Sequence, residues 1–266
     1  MKVGVRAGDE AHAAAAAALA RRLGLPLNEP VVDAELILDA SGLSLHSRAA
    51  ELAELGAPLQ VDFLGGRFGY RLQHGGGRGQ RLARAVGLRK GAPPPAVLDA
   101  TAGMGRDAFL LAWLGCPVIG LERDPVVYAL LEDGLRRALE APATAERLGG
   151  RLRFVFADAA DWLADCRAGA AATPDVVLLD PMHPDRGKSA LVKREMRWFR
   201  ALVGDDADSG DLLAPALAAA RRRVVVKRPL HAAPLGPDLS FSARGRSTRF
   251  DVHLKAPGTP SPADPA

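Results

Sequence analysis

Three stretches of this sequence place reactive residue types at spacings that make chemical sense together. The first is Asp99-Ala-Thr-Ala-Gly103-Met-Gly105-Arg106-Asp107. Glycine lets a chain turn sharply and lets a ligand approach the backbone, and a helix opening there offers unpaired N–H groups. Seventeen residues after Gly105 comes Glu122, followed by Arg123. A carboxylate at that strand end can accept both hydroxyls of an adenosine ribose. The second stretch is Ala157-Asp158-Ala159, at the end of an expected strand. Asp158 there either accepts the amino group of an adenine or caps the helix that follows. The third is Asp180-Pro181-Met182-His183-Pro184. Two prolines fix that backbone, so the Asp180 carboxylate and the Pro181 carbonyl can aim at one point. Two acceptors held this way suit an exocyclic –NH2 group with two hydrogens to donate. The alternative is an ordinary rigid turn after a strand.

The glycine turn admits two cofactors. Gly103-x-Gly105-x-x-Ala108 fits the dinucleotide fingerprint, which would imply a dehydrogenase. Asp99, four residues before Gly103, gives instead D-x-x-x-G-x-G, the usual form in S-adenosylmethionine (SAM)-dependent methyltransferases. Asp107 would then meet the ammonium group of the cofactor, or else simply complement the helix dipole. The Asp180 loop is similar to the (Asp/Asn)-Pro-Pro-(Tyr/Phe) loop of amino-group methyltransferases. There the fourth residue stacks on the target base. His183 holds that slot here, and an imidazole can both stack and titrate.

These residues need a particular scaffold. After Pro93-Pro94-Pro95 the pattern alternates regularly. Strands are expected at 96–100, 118–121, 152–156, 176–179 and 223–226, with helices at 106–114, 125–139 and 212–220. An antiparallel pair is expected at 239–242 and 248–254. Alternation of this kind predicts a Rossmann-like α/β sheet with helices on both faces. Upstream, a helix at 11–23, strands at 31–38 and 59–64, and a helix at 80–88 predict a small N-terminal α+β domain. Gly65-Gly66 and Gly75-Gly76-Gly77-Arg78-Gly79 read as turns or loops. The expected divisions are 1–80, 81–256 and a disordered Pro/Ser/Ala tail at 257–266.

Bulk properties narrow the class. The chain has 266 residues with a 48% hydrophobic share, enough for a packed α/β domain and an appendage. No apolar run approaches the ~20 residues that span a bilayer. Asp9, Glu10 and His12 spoil a signal peptide, so a cytoplasmic protein with no membrane partner is expected. Cys116 and Cys166 fit neither a disulfide scaffold nor a metal site, and no metal is expected. The net charge of +4 is unevenly spread. Residues 65–93 hold Arg67, Arg71, Arg78, Arg81, Arg84, Arg89 and Lys90 with no acid. Arg186, Lys188, Lys193, Arg194, Arg197 and Arg200 face one acid, Glu195, and Arg221–Arg223, Lys227 and Arg228 form a third group. Clustered positive charge marks either a polyanion binder or an arginine-rich solvated face.

Several longer stretches resemble one family. They are 97–109, 121–127, 179–184, 188–196 and 224–229, with Gly75-Gly-Gly-Arg-Gly79. Together they resemble ribosomal RNA small subunit methyltransferase J, from about residue 60 to 255. That resemblance implies SAM as cofactor and methyl transfer to the N2 amine of one guanine in 16S rRNA, free or in the small subunit. It implies cofactor contacts at Arg106, Asp107, Glu122, Arg123, Asp158, Ala159 and Asp180, beside the glycine turn with Asp99, Gly103 and Gly105. Asp180, Pro181 and His183 would form the acceptor site, and Arg78, Lys188, Lys193, Arg194, Lys227 and Arg228 would hold RNA. The family commonly has Phe or Tyr at position 183 and Ser-Ser where Asp158-Ala159 stands. Other readings are an amino-group methyltransferase acting on DNA adenine or protein glutamine, and a non-catalytic RNA-binding module on the same fold.

Overall fold

A computed structural model of the protein describes residues 1–48, 56–75, 77–181, 197–198, 201–202 and 212–255. In chain order the elements are β1 (Val3–Ala7), α1 (Ala13–Leu23), β2 (Ala34–Asp39), β3 (Gly42–Ser47), α2 (Gly66–His74) and α3 (Arg81–Ala85). Then follow β4 (Val97–Asp99), α4 (Arg106–Trp113), β5 (Val118–Glu122), α5 (Pro125–Leu139), α6 (Pro142–Leu148), β6 (Leu152–Phe156) and α7 (Ala159–Ala168). The chain continues with β7 (Val176–Leu179), α8 (Leu213–Ala219), β8 (Arg223–Pro229), β9 (Phe241–Arg244) and β10 (Thr248–Leu254).

Two compact units separate. The first draws on Met1–Asp62 and Asp124–Ala141. Its sheet has the order β1-β2-β3, with β1 parallel to β2 and a β2–β3 hairpin. Helix α5 belongs here because its polar side engages β3: the Asp133 carboxylate accepts the Leu43 N–H at 2.9 Å and Arg137 Nε at 2.8 Å. Residues 59–64 correct an expectation. They alternate buried and exposed as a strand would, yet only Leu59 bridges, to Leu45. The Val61 carbonyl takes the Arg137 guanidinium instead of a strand partner.

The second unit holds a seven-stranded sheet of order β6-β5-β4-β7-β8-β10-β9, parallel except at β10. β7 is buried along its whole length, as a central strand covered on both faces should be. One face packs Leu98, Leu121, Val177, Leu179, Val224 and Val226 against Leu163 and Cys166 of α7 and Leu213 and Ala216 of α8. On the other side Phe109 of α4 stacks on Phe63, which also stacks on Phe154 of β6. The strand order reverses between β4 and β7, and such a switch point opens a crevice at the carboxyl ends of the strands. α2 begins on the glycine pair read as a loop: Gly65 takes the N-cap position, so the glycines start a helix rather than break one.

Candidate active site

The crevice is lined by the ends of β4, β5, β7 and β8. After β4 the chain turns through Gly103 (φ 53°) and Gly105 (φ 68°), a backbone that L side chains rarely adopt. Gly105 caps α4, which places Asp107 in its first turn. The Gly103 N–H donates to Glu122 Oε2 at 3.1 Å, so the carboxylate at the end of β5 is tied to the turn. The Asp180 N–H donates to Thr101 Oγ1 at 2.6 Å, which joins the loop after β7 to the loop after β4. The Lys227 ammonium on β8 lies between Asp107 Oδ2 at 2.8 Å and Asp180 Oδ2 at 2.7 Å.

Electrostatics set the charge of this cluster. Burial pushes Lys227 down, but the Asp107 and Asp180 carboxylates outweigh it and hold the ammonium well above the ordinary lysine range. Asp99 is 2% exposed and, among the described residues, accepts a single long bond from the Thr101 N–H, at 3.3 Å. Burial first, then the Asp107 and Asp180 charges, push it from 3.8 to about 8, against the pull of Thr101 and Lys227. Asp99 is therefore protonated at neutral pH. Two carboxylates then share one ammonium, leaving one net negative charge among the four groups. This donor set fits SAM, which brings a sulfonium, an ammonium and a ribose diol. The positive-φ glycines keep the turn clear of side chains where the ligand would lie.

The other expected residues fall as follows. Arg106 opens α4. Arg123 follows β5 and lies 3.7 Å from Asp158 Oδ2. Asp158 caps α7, its Oδ1 accepting the Ala160 N–H at 2.8 Å, and Ala159 is the first residue of that helix. Pro181 is buried next to Asp180. Arg78 is exposed, with Nη1 3.4 Å from the Arg89 carbonyl. Two residues expected to hold RNA already have partners within the protein. Lys227 faces two carboxylates inside the crevice rather than a phosphate, and Arg228 is 5% exposed with Nε and Nη2 bonded to the Ala233 carbonyl. His183, Lys188, Lys193, Arg194 and the tail at 257–266 lie outside the described residues. Sequence reasoning missed the Thr101 contact and the pairing of Lys227 with Asp107 and Asp180. A lysine ending the apolar run Val224–Val226 was the available signal, because a charge there needs a partner.

Comparison with known proteins agrees with this geometry. The profile of the family described as "Putative SAM-dependent methyltransferase" matches residues 18–255. The chain is 52% identical over 248 residues to ribosomal RNA small subunit methyltransferase J of Nitrosococcus oceani, covering 90% of this chain and 93% of that one. It is 49% identical over 259 residues to the protein of the same name from Thioalkalivibrio sulfidiphilus, covering 95% and 98%. A solved structure of a SAM-dependent methyltransferase from Neisseria gonorrhoeae matches with a TM-score of 0.73 and 33% identity, over 99% of this chain and 100% of that one.

Proposed function

The chain belongs to the ribosomal RNA small subunit methyltransferase J family of SAM-dependent methyltransferases, and from that premise we propose that it methylates the exocyclic N2 amine of one guanine in 16S rRNA. One observation carries the reading. Lys227 and Thr101 hold Asp180 at the same crevice as the glycine turn, which supports a carboxylate where cofactor and acceptor would meet.

The proposed division of labour is compatible with this geometry and rests on the family resemblance. Glu122 takes the ribose hydroxyls, Asp107 the ammonium and Asp158 the adenine edge, with Arg106, Arg123 and Ala159 beside them. Bound SAM supplies a methyl group on a cationic sulfur, a good leaving group. The chain's task is then mostly positioning. The Asp180 carboxylate and the Pro181 carbonyl accept the two N–H bonds of the amine and aim its nitrogen. Asp180 is also placed to take the proton that the amine sheds after transfer. The Lys227 ammonium, 2.7 Å from Asp180 Oδ2, holds that carboxylate in place.

Tritiated SAM offered with small ribosomal subunits, naked 16S rRNA, DNA and protein tests the reading. Label is expected in the RNA, and nucleoside mass spectrometry should identify it as N2-methylguanosine. Asp180→Ala should abolish transfer and leave the melting temperature within a few degrees of the parent. Label on adenine in DNA or on glutamine, or normal turnover by Asp180→Ala, overturns it.

A further inference from the structure

A second feature of the large unit lies away from the crevice. At the amino end of β8 is a pocket of about 310 Å³ lined by Arg84, Gly87, Arg89, Arg223, Phe241 and Leu254. Arg223 stands four residues before Lys227 on β8, which places it about 13 Å away along the strand. Arg84 and Arg89 come from the acid-free stretch 65–93, and Arg223 from the third basic group. The fold thus brings together two positive segments that the proposed chemistry does not use.

The pocket is built around Arg223. Its Nη1 donates to the Ala85 carbonyl at 3.2 Å. Its guanidinium lies flat against Gly87 (φ +81°), where an added Cβ would come within 2.9 Å of Cζ and Nη2. Its Nε is buried with no hydrogen-bond partner among the described residues. Burial first, then the charges of Arg89 and Arg222, depress its pKa. Asp175 accepts the Arg223 backbone N–H through its own carbonyl at 3.4 Å, but its carboxylate lies 3.5 Å from Arg222 Nε and accepts the Ala96 N–H. None of the residues lining the pocket carries a carboxylate. Guanidiniums gathered without an acid repel one another and leave donors unsatisfied, and an anion corrects both faults. Phe241 is 43% exposed at the rim and offers a ring face to a base. The volume falls at the small end of the roughly 300–1,000 Å³ typical of ligand pockets, which suits a single nucleotide.

We propose that this pocket is a second RNA contact, holding one nucleotide of the substrate with its phosphate on Arg84, Arg89 and Arg223 and its base on Phe241. It rests on the reading that the substrate is RNA. It engages a nucleotide other than the one that is methylated.

The test is binding of small subunits and 16S rRNA across a salt series, together with steady-state methylation. The variants are Arg84→Gln/Arg89→Gln, Arg223→Gln and Phe241→Ala. Arg84 and Arg89 are exposed, so the double variant keeps the test decisive even if Arg223→Gln folds poorly. The double variant should lower the slope of log affinity against log salt by about 1. Its KM for RNA should rise roughly tenfold, with kcat and the Kd for SAM unchanged. Phe241→Ala should weaken RNA binding roughly tenfold without changing the slope. If the parent methylates RNA and the double variant keeps its slope and KM, this proposal alone fails. If the parent neither binds nor methylates RNA, the functional reading fails and takes the pocket assignment with it.

Discussion

Replacing Asp99 with asparagine should make the protein progressively more stable than the parent as pH rises from about 4 to about 8. Between its ordinary value of 3.8 and about 8, the unfolded chain has released this proton and the folded chain has kept it. The folded state then binds more protons, so stability falls as pH rises. The loss is absent below the unfolded value, grows through the window and levels off above the folded one. Each pKa unit corresponds to about 1.36 kcal/mol. A shift of roughly four units therefore sets a ceiling of about 5–6 kcal/mol at pH 8. Even half of that, about 3 kcal/mol, moves the melting temperature of a chain this size by roughly 6–12 °C.

Asparagine cannot ionise, and its side-chain oxygen can still accept the Thr101 N–H. Its extra N–H groups add a constant cost that does not vary with pH. The difference in melting temperature between variant and parent, measured by calorimetry without cofactor from pH 5 to 9, isolates the Asp99 titration. It should climb in favour of the variant and flatten near pH 8. A flat difference from pH 5 to 8 would show that Asp99 ionises normally in the folded protein, and the assignment of one net negative charge to the cluster would be wrong.

Two further substitutions probe the same sheet. Lys227→Met leaves Asp107 and Asp180 facing each other without their shared cation. Because the Asp180 side chain is 41% exposed and that of Lys227 28%, solvent screens the cost to about 1–3 kcal/mol. Methyl transfer should fall at least about a hundredfold and recover in part with Lys227→Arg, since placement of a reacting group by even 1 Å matters at that scale. Urea denaturation and single-turnover kinetics check both. Arg249 makes a two-pronged contact with the fully buried Asp251, at 2.8 and 2.9 Å, so Arg249→Met should cost about 3–5 kcal/mol. Burial raises Asp251, but Arg249 and Ser242 outweigh it and hold the carboxyl below 3.8. Its contribution is present above the unfolded value and lost as pH falls through the folded one, so Arg249→Met should flatten the acid limb of a stability profile.

Much of the fold was legible because it rests on local signals. Apolar runs bounded by Gly and Pro mark β4 to β8, and Asp124 with Pro125 announces the start of α5, where the carboxylate accepts two backbone N–H groups. The small sheet was less legible. β1 and β3 are short and carry Arg6, Ser44 and His46 among their apolar positions, which blurs the alternation. The 59–64 stretch shows the opposite failure, a perfect alternation with no ladder. Asp158 could be read two ways from its neighbours, and the geometry puts its Oδ1 on the helix N-terminus.

The basic run at the start and end of β8 shows why charge in a sequence is not charge on a surface. Arg223, Lys227 and Arg228 look equivalent on the page. Lys227 meets Asp107, 120 residues away, and Asp180, 47 residues away, so its charge is balanced inside the crevice. Arg228 turns inward to a carbonyl five residues on. Arg223 meets other arginines and no carboxylate at its pocket. What decides between them is where distant acids fold back. The proposed cofactor site uses acids at the start of α4 and just after β7 to bind a cationic ligand, and those acids, Asp107 and Asp180, hold Lys227. At the far end of the strand Asp175 pairs with Arg222, and among the described residues no carboxylate lines the pocket beside Arg223. The same strand thus presents a balanced cation where methyl transfer is proposed and an unbalanced one where the nucleotide is proposed to dock.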